Sequence, residues 1–270
     1  MHKNTQTILT NDNSGVNVRD RGFNYGDGFF TTAKVVNGVV QLWALHKSRL
    51  IECASRLDFP EIDFAHLEAR IGKYIATQTL CVLKIVITRG LGGRGYASPK
   101  SCHLTIVLTI TQFPEHYHSL QKTGISLGVS NIKLASQPLL AGLKTLNRLE
   151  QVLIKNDMKN VPYDDVLVCD QQNQIIEVSA ANIFIIKDSI IYSPLLNECG
   201  INGVYLRSLC DKLLIQFKTL SLNDVLQADG VFICNSLMEV VAVNCILDCQ
   251  FNVSNSVLIF KQLLAKESQC

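Results

Sequence analysis

Apolar positions recur along this chain with two periods, and the changes between them predict its elements. Val35-Val36 and Val39-Val40 flank Asn37-Gly38, a dipeptide that favours a two-residue hairpin turn, so two strands are expected there. Residues 43–57 carry Leu45, Leu50, Ala54 and Leu57 on one helical stripe with Arg49 offset from it, and Pro60 ends that helix. A second helix is expected over 63–78. The β-branched runs at 82–88 and 104–110 have the length and composition of strands. In the second half, strand patterns at 125–129, 165–169, 175–178, 183–186, 190–192, 231–234 and 240–243 mix with helical ones at 146–159, 204–217 and 256–265.

The polar stretch Thr111-Gln-Phe-Pro-Glu-His-Tyr-His118 separates the two halves. It predicts a small α/β N-terminal domain over 1–113, a linker over 114–120 and a C-terminal domain over 121–270. Strands and helices joined by short turns make the fold class α+β, with a larger, barrel-like second domain. Of the 270 residues, 47% are hydrophobic and 18% charged, in runs too short for the roughly 18 to 20 apolar residues of a membrane span. The first residues lack the apolar centre of a signal peptide, so a soluble cytoplasmic protein is expected. The net charge of +2 comes from scattered residues, which gives no electrostatic footprint for nucleic acid or an anionic membrane. Ten cysteines form no C-x-x-C pair, and reduced thiols are expected. Cys245 with Cys249 on a helical face, and His116 with His118 on a strand face, lack further ligands at metal-site spacing, so no metal is expected.

Arg89-Gly-Leu-Gly-Gly-Arg-Gly-Tyr96 formally matches the dinucleotide pattern G-x-G-x-x-G after a strand. That pattern needs a helix at its last glycine, whereas Pro99 and a second strand follow, which describes a hairpin tip. The glycines serve positive φ, and Arg89, Arg94 and Tyr96 are either structural or poised for a carboxylate substrate. Lys144 stands behind Gly142 at the expected entrance of a helix whose apolar face is Leu146, Leu149, Val152 and Leu153. Glu177 and Asn182 lie in Ile176-Glu-Val-Ser-Ala-Ala-Asn-Ile-Phe184, and Gly200-Ile-Asn-Gly203 opens a helix whose N-terminus favours a phosphate. Singly these are a surface lysine, a solvated strand charge, a helix-surface arginine and a turn. Together they are an amine, a carboxylate, a guanidinium and an anion-binding turn, the parts a pyridoxal-phosphate site requires.

Four stretches resemble the fold-type IV pyridoxal-phosphate enzymes, the class IV aminotransferase family. They are Asp20-Arg-Gly-Phe-Asn-Tyr-Gly-Asp-Gly-Phe-Phe-Thr-Thr32, Leu83-Lys-Ile-Val-Ile-Thr-Arg-Gly-Leu-Gly-Gly-Arg-Gly-Tyr96, Leu140-Ala-Gly-Leu-Lys-Thr-Leu-Asn-Arg-Leu-Glu-Gln-Val-Leu153 and Ile233-Cys-Asn-Ser-Leu-Met238. The Gly-Gly-Arg-Gly-Tyr tip and the Leu-Asn-Arg-Leu-Glu-Gln-Val-Leu continuation are most similar to the aminodeoxychorismate lyase branch. The resemblance implies a two-domain enzyme with pyridoxal 5'-phosphate between the domains, a homodimer, and 4-amino-4-deoxychorismate as substrate. It implies that Lys144 is the catalytic lysine bonded to the cofactor, that Glu177 pairs with the pyridine nitrogen, and that Arg49 holds the phosphate. Backbone groups of Ile201 and Asn202, with Asn235 and Ser236, would complete the phosphate cup, and Asn182 belongs to the same set. Asn202 stands where many of the family's aminotransferases carry Thr. Tyr25, Arg94, Tyr96 and Arg148 are candidate substrate contacts. A branched-chain or D-amino-acid aminotransferase, and a cofactor-free binding protein that kept the fold, are the alternatives.

Overall fold

The computed structural model describes residues 6–10 and 15–267, and its chain divides into two units, Met1–Phe113 with Leu143–Asn147, and Pro114–Gly142 with Arg148–Cys270. In the first unit lie β1 (Gln6–Thr10), α1 (Arg21–Tyr25), β2 (Gly28–Val36), β3 (Val39–Val40), α2 (Trp43–Arg56), α3 (Phe64–Ile75), β4 (Leu80–Thr88) and β5 (Leu104–Gln112). Its sheet runs β1-β5-β4-β2-β3. Asn37 and Gly38 both take positive φ, as the expected hairpin turn demands. Burial alternates along β2, so Phe29, Ala33 and Val35 join Leu83, Ile85, Ile87, Ile106 and Leu108 on one face. Leu50 and Cys53 of α2 and Leu67, Ile71 and Ile75 of α3 cover that face and complete the core.

The second unit holds α4 (His116–Thr123), β6 (Ile125–Val129), α5 (Leu149–Asp157), β7 (Asp165–Cys169), β8 (Ile175–Val178), β9 (Asn182–Lys187) and β10 (Ile190–Pro194). It continues with α6 (Val204–Cys210), β11 (Ile215–Lys218), α7 (Leu222–Leu226), β12 (Gly230–Asn235), β13 (Glu239–Ile246), β14 (Cys249–Gln250) and α8 (Val253–Glu267). The strands run β11-β10-β9-β12-β13-β6-β7-β8, with β14 on β13. Ile175 of the last strand donates its N–H to Leu220 O at 2.7 Å, just beyond β11, so the two ends of the sheet approach and the unit is barrel-like. Ile183 and Ile185 of β9 face the barrel interior, while Phe184 and Ile186 pack outward with residues of α6 and α8. Both faces of β9 are covered, which explains its unbroken apolar run.

Several expectations are corrected. The span 114–120 is not a bare linker, because α4 starts at His116 and packs Tyr117 and Leu120 on the second core. His116 and His118 are therefore helical, and Cys245 and Cys249 lie on paired strands. The helix expected over 204–217 stops at Cys210, and Ile215–Lys218 pairs in parallel with β10; strand pairing overrides a local helical period. The helix expected from 146 begins at Leu149, and of its expected apolar face Leu149 is 70% exposed, with Val152 and Leu153 also exposed. Ile154 is the residue that α5 buries. Among the described residues no helix is long and apolar enough to cross a membrane.

Candidate active site

Lys144 does not open a helix. Leu143–Asn147 is an extended segment beside the start of β2 in the first unit, with Phe30 N–H donating to Lys144 O at 2.9 Å and Leu146 N–H to Gly28 O at 3.0 Å. Leu143 and Thr145 turn into the core, so Lys144 falls on the opposite side, half-buried, with Nζ 4.8 Å from the Phe30 ring centroid. Gly28 is required here, since a Cβ would stand 2.5 Å from Ile87 O and 2.8 Å from Leu146 Cδ1.

Arg49 is buried on α2, one turn before Cys53, whose thiol forms a hydrogen bond with the Lys144 backbone. Burial raises the Cys53 pKa, and the Lys144 hydrogen bond and the Arg49 charge oppose that rise. One turn the other way His46 is fully buried, with Nδ1 2.6 Å from Thr31 Oγ1 and Nε2 without a hydrogen-bond partner. Burial and then the Arg49 charge push its pKa down to about 3, so the imidazole is neutral.

The 89–103 tip is also built in the first unit. Tyr96 is 85% exposed and meets Tyr25 edge-on with ring centroids 5.4 Å apart, and Arg94 is exposed as well. Arg89, read as a candidate for a carboxylate ligand, is instead buried structure: Nε donates to Asp27 and the two Nη atoms to Asp58 O at 2.7 Å and Leu57 O at 2.8 Å. Its guanidinium carbon lies 4.0 Å from the Phe59 ring centroid.

In the second unit Glu177 is 5% exposed on β8, and its Oε2 accepts the Ile201 N–H at 3.0 Å. Burial lowers the Arg148 pKa, and the charges of Glu177 and Glu150 oppose that fall, so Arg148 and Glu177 interact. Asn182 Nδ2 donates to Ile201 O at 2.8 Å. Asn202 N–H donates to Gly142 O at 3.0 Å. The backbone donors of Ile201 and Asn202, expected to hold a phosphate, are thus taken by Glu177 and Gly142. Asn235 uses its side chain on its own turn, Oδ1 accepting from Leu237 and Met238 N–H at 2.9 Å each and Nδ2 donating to Ala180 O at 3.2 Å. It shapes the turn that carries Ser236. Sequence reasoning passed over Arg21, His46 and the buried Ser179, whose Oγ has no hydrogen-bond partner two residues beyond Glu177. Arg21 and Ser179 stood inside quoted stretches; His46 carried no local signal.

Each unit by itself holds residue types that suit pyridoxal phosphate. The first unit offers an amine and a buried guanidinium, and the second a buried carboxylate aligned by a backbone N–H, with the unsatisfied Ser179 hydroxyl nearby in sequence.

Comparison with known proteins agrees. An aminodeoxychorismate lyase of Vibrio harveyi is 36% identical over 230 residues, covering 83% of this chain and 85% of that protein. The crystal structure of 4-amino-4-deoxychorismate lyase from Pseudomonas aeruginosa superposes with a TM-score of 0.87 at 31% identity, covering 95% of this chain and 96% of that one. The branched-chain amino acid aminotransferase of Escherichia coli, at 19% identity, TM-score 0.80 and coverages of 94% and 91%, shares the fold. The family description "Amino-transferase class IV" matches residues 28–246, a span that includes Lys144, Arg49 and Glu177. By motif, by architecture and by this match, the chain belongs to the class IV aminotransferase family.

Proposed function

We propose that this protein is a cytoplasmic, homodimeric 4-amino-4-deoxychorismate lyase that uses pyridoxal 5'-phosphate to form 4-aminobenzoate and pyruvate, a step towards folate. The observation that carries the reading is the pair of lyases at 36% and 31% identity across most of both chains, set against aminotransferases at 28% and 19%. Lys144 would be the amine that bonds to the cofactor, Glu177 the partner of its pyridine nitrogen, and Arg49 and Ser236 the groups that hold its phosphate. Asn182 and Ile201 support Glu177 by fixing the turn whose N–H it accepts. Asn202 and Asn235 act as scaffold through the bonds described above.

When bound, the cofactor supplies an electron sink that acidifies the C–H bond at C4 of the attached substrate. The Lys144 amine would take that proton as general base. The C–O bond to the enolpyruvyl group breaks, the ring becomes aromatic, and the departing enol becomes pyruvate. Glu177 is suited to this role by its place: its Oε2 accepts the Ile201 N–H at 3.0 Å and Arg148 lies within reach of its charge. On the tip, Arg94 and Tyr96, with Tyr25 beside them, and Arg148 in the second unit are the proposed substrate contacts. The exposed stripe Leu149, Val152 and Leu153 on α5 is the proposed seat of a second copy.

The test is a visible spectrum of the purified protein before and after borohydride, with mapping of the modified peptide, followed by pyruvate release from aminodeoxychorismate without any keto-acid acceptor. A yellow protein labelled at Lys144 that releases pyruvate meets the expectation. Pyruvate-independent amino transfer from an amino acid to a keto acid, with no release from aminodeoxychorismate, would replace the lyase by an aminotransferase. A protein that stays colourless and unlabelled with added cofactor would overturn both.

A further inference from the structure

The densest polar construction in the first unit that the proposed chemistry leaves unused surrounds Arg21. Its side chain is 4% exposed and Nε donates to Asp27 Oδ2 at 2.7 Å. Nη1 donates to Gly95 O at 3.1 Å and Ala97 O at 3.2 Å, and Nη2 to Tyr96 O at 2.7 Å. One guanidinium gathers three consecutive carbonyls of the tip. The tip also crosses the stem of the same side chain: a Cβ on Gly92 would stand 2.6 Å from Arg21 Cδ, so only glycine allows this approach. On its other side the Arg21 guanidinium carbon lies 5.1 Å from the Tyr25 ring centroid.

The other edge of those peptides follows from their geometry. In a trans peptide the N–H points away from its own carbonyl, and no cis peptide is present among the described residues. The three clamped carbonyls share their peptide groups with the N–H groups of Tyr96, Ala97 and Ser98, which therefore face away from Arg21. None of these three donors has a protein partner among the described residues. Because the three carbonyls converge on one guanidinium, these N–H groups splay outward and do not meet on a single anion; the cation that the clamped tip presents is the exposed Arg94, one residue before the first clamped peptide.

We propose that Arg21 is a positioning residue: by clamping the carbonyls of Gly95, Tyr96 and Ala97 it fixes the tip so that Arg94 is held ready for a substrate carboxylate. The inference rests on the lyase reading, whose substrate carries two carboxylates. Arg21 itself touches no substrate. Its work is done in advance, by holding a glycine-rich tip that would otherwise spend binding energy on becoming ordered.

Two variants test it on the holoenzyme. Arg21→Lys keeps a cation for Asp27 and gives up the fork that reaches three carbonyls. Gly92→Ala leaves Arg21 and Asp27 chemically intact and obstructs only the approach of the tip. Both are expected to raise KM for aminodeoxychorismate by about tenfold, the scale of one lost hydrogen bond to a charged group, with kcat within about twofold of the parent. In both, trypsin added to the native protein is expected to cut after Arg94 faster. An unchanged KM, or a kcat that falls while KM stays, overturns the inference. If the parent protein releases no pyruvate from aminodeoxychorismate, the lyase reading fails by itself, and the tryptic rates still decide the clamp: faster cutting after Arg94 in both variants upholds it, and equal rates sink it.

Discussion

Asp27→Asn is the perturbation whose cost can be worked most directly from the geometry. Asp27 is the shared acceptor of two buried arginines, taking Arg21 Nε at 2.7 Å and Arg89 Nε at 2.9 and 3.1 Å. The arginine side chains are 4% and 7% exposed and that of Asp27 17%. Asparagine keeps the shape and removes the charge, leaving both guanidiniums with neutral acceptors. Each charge-assisted bond is worth about 1.5 to 3 kcal/mol, and breaking a buried pair costs about 3 to 5 kcal/mol. Water reaches the partly exposed Asp27 and offsets some of this, so the lower end, about 3 kcal/mol, is expected. Trp43, the chain's single tryptophan, lies on α2 of the first unit and reports its unfolding. At a urea slope of roughly 2 kcal/mol per molar, the Trp43 fluorescence midpoint falls by about 1.5 M. A fall of less than about 0.3 M with an unchanged slope would refute the claim that one carboxylate holds both arginines.

Other perturbations reach the remaining parts of the site. Lys144→Ala is expected to abolish pyruvate release while the circular dichroism spectrum is kept; substantial residual turnover would remove Lys144 from the chemistry. His46 is neutral when folded, with its pKa lowered to about 3 from 6.5, so below about pH 6.5 the unfolded chain binds a proton that the folded chain does not. Stability is therefore expected to fall as pH drops from 6.5 towards 3, by about 2 kcal/mol at pH 5 from this group alone, and urea midpoints at pH 5 and 7.5 should differ less in His46→Gln than in the parent. Gly203→Ala would bring a Cβ to 1.8 Å from Asn182 Oδ1 while Asn182 is tied to Ile201 O, so the turn beside Glu177 must shift. Weaker cofactor retention on dialysis is the expected outcome, and parental retention would show that the turn yields at no cost. Light scattering should give twice the chain mass, with Val152→Glu shifting the protein towards monomer; a monomeric parent would remove α5 as the interface.

Much of this fold was legible from local pattern. The Asn37-Gly38 hairpin, the flanking β4 and β5, and helix α2 depend on periodicity and turn chemistry within a few residues, and there the reading agrees with the structure. Lys144, Glu177 and Arg49 were visible as residue types that chemistry and family motif both single out. Helix α1 and strand β11 were missed. The first has only five residues, and the second depends on parallel pairing with β10 rather than on its own sequence.

What the amino-acid sequence determined alone was therefore the list of elements with a strong local period, the family, and the residue types from which the proposed site is built. Only the tertiary structure decided what those side chains do. Arg89 and Arg94 stand in one glycine-rich motif, yet Arg89 is buried because its acceptors arrive from Leu57 and Asp58, while Arg94 is left exposed. Arg21 finds its three carbonyls more than 70 residues along the chain. The Ile201 and Asn202 donors looked available in sequence and were taken by Glu177 and Gly142. Each outcome turns on a hydrogen bond between residues distant in sequence, and a partner brought by the fold leaves no trace in the spacing around either one.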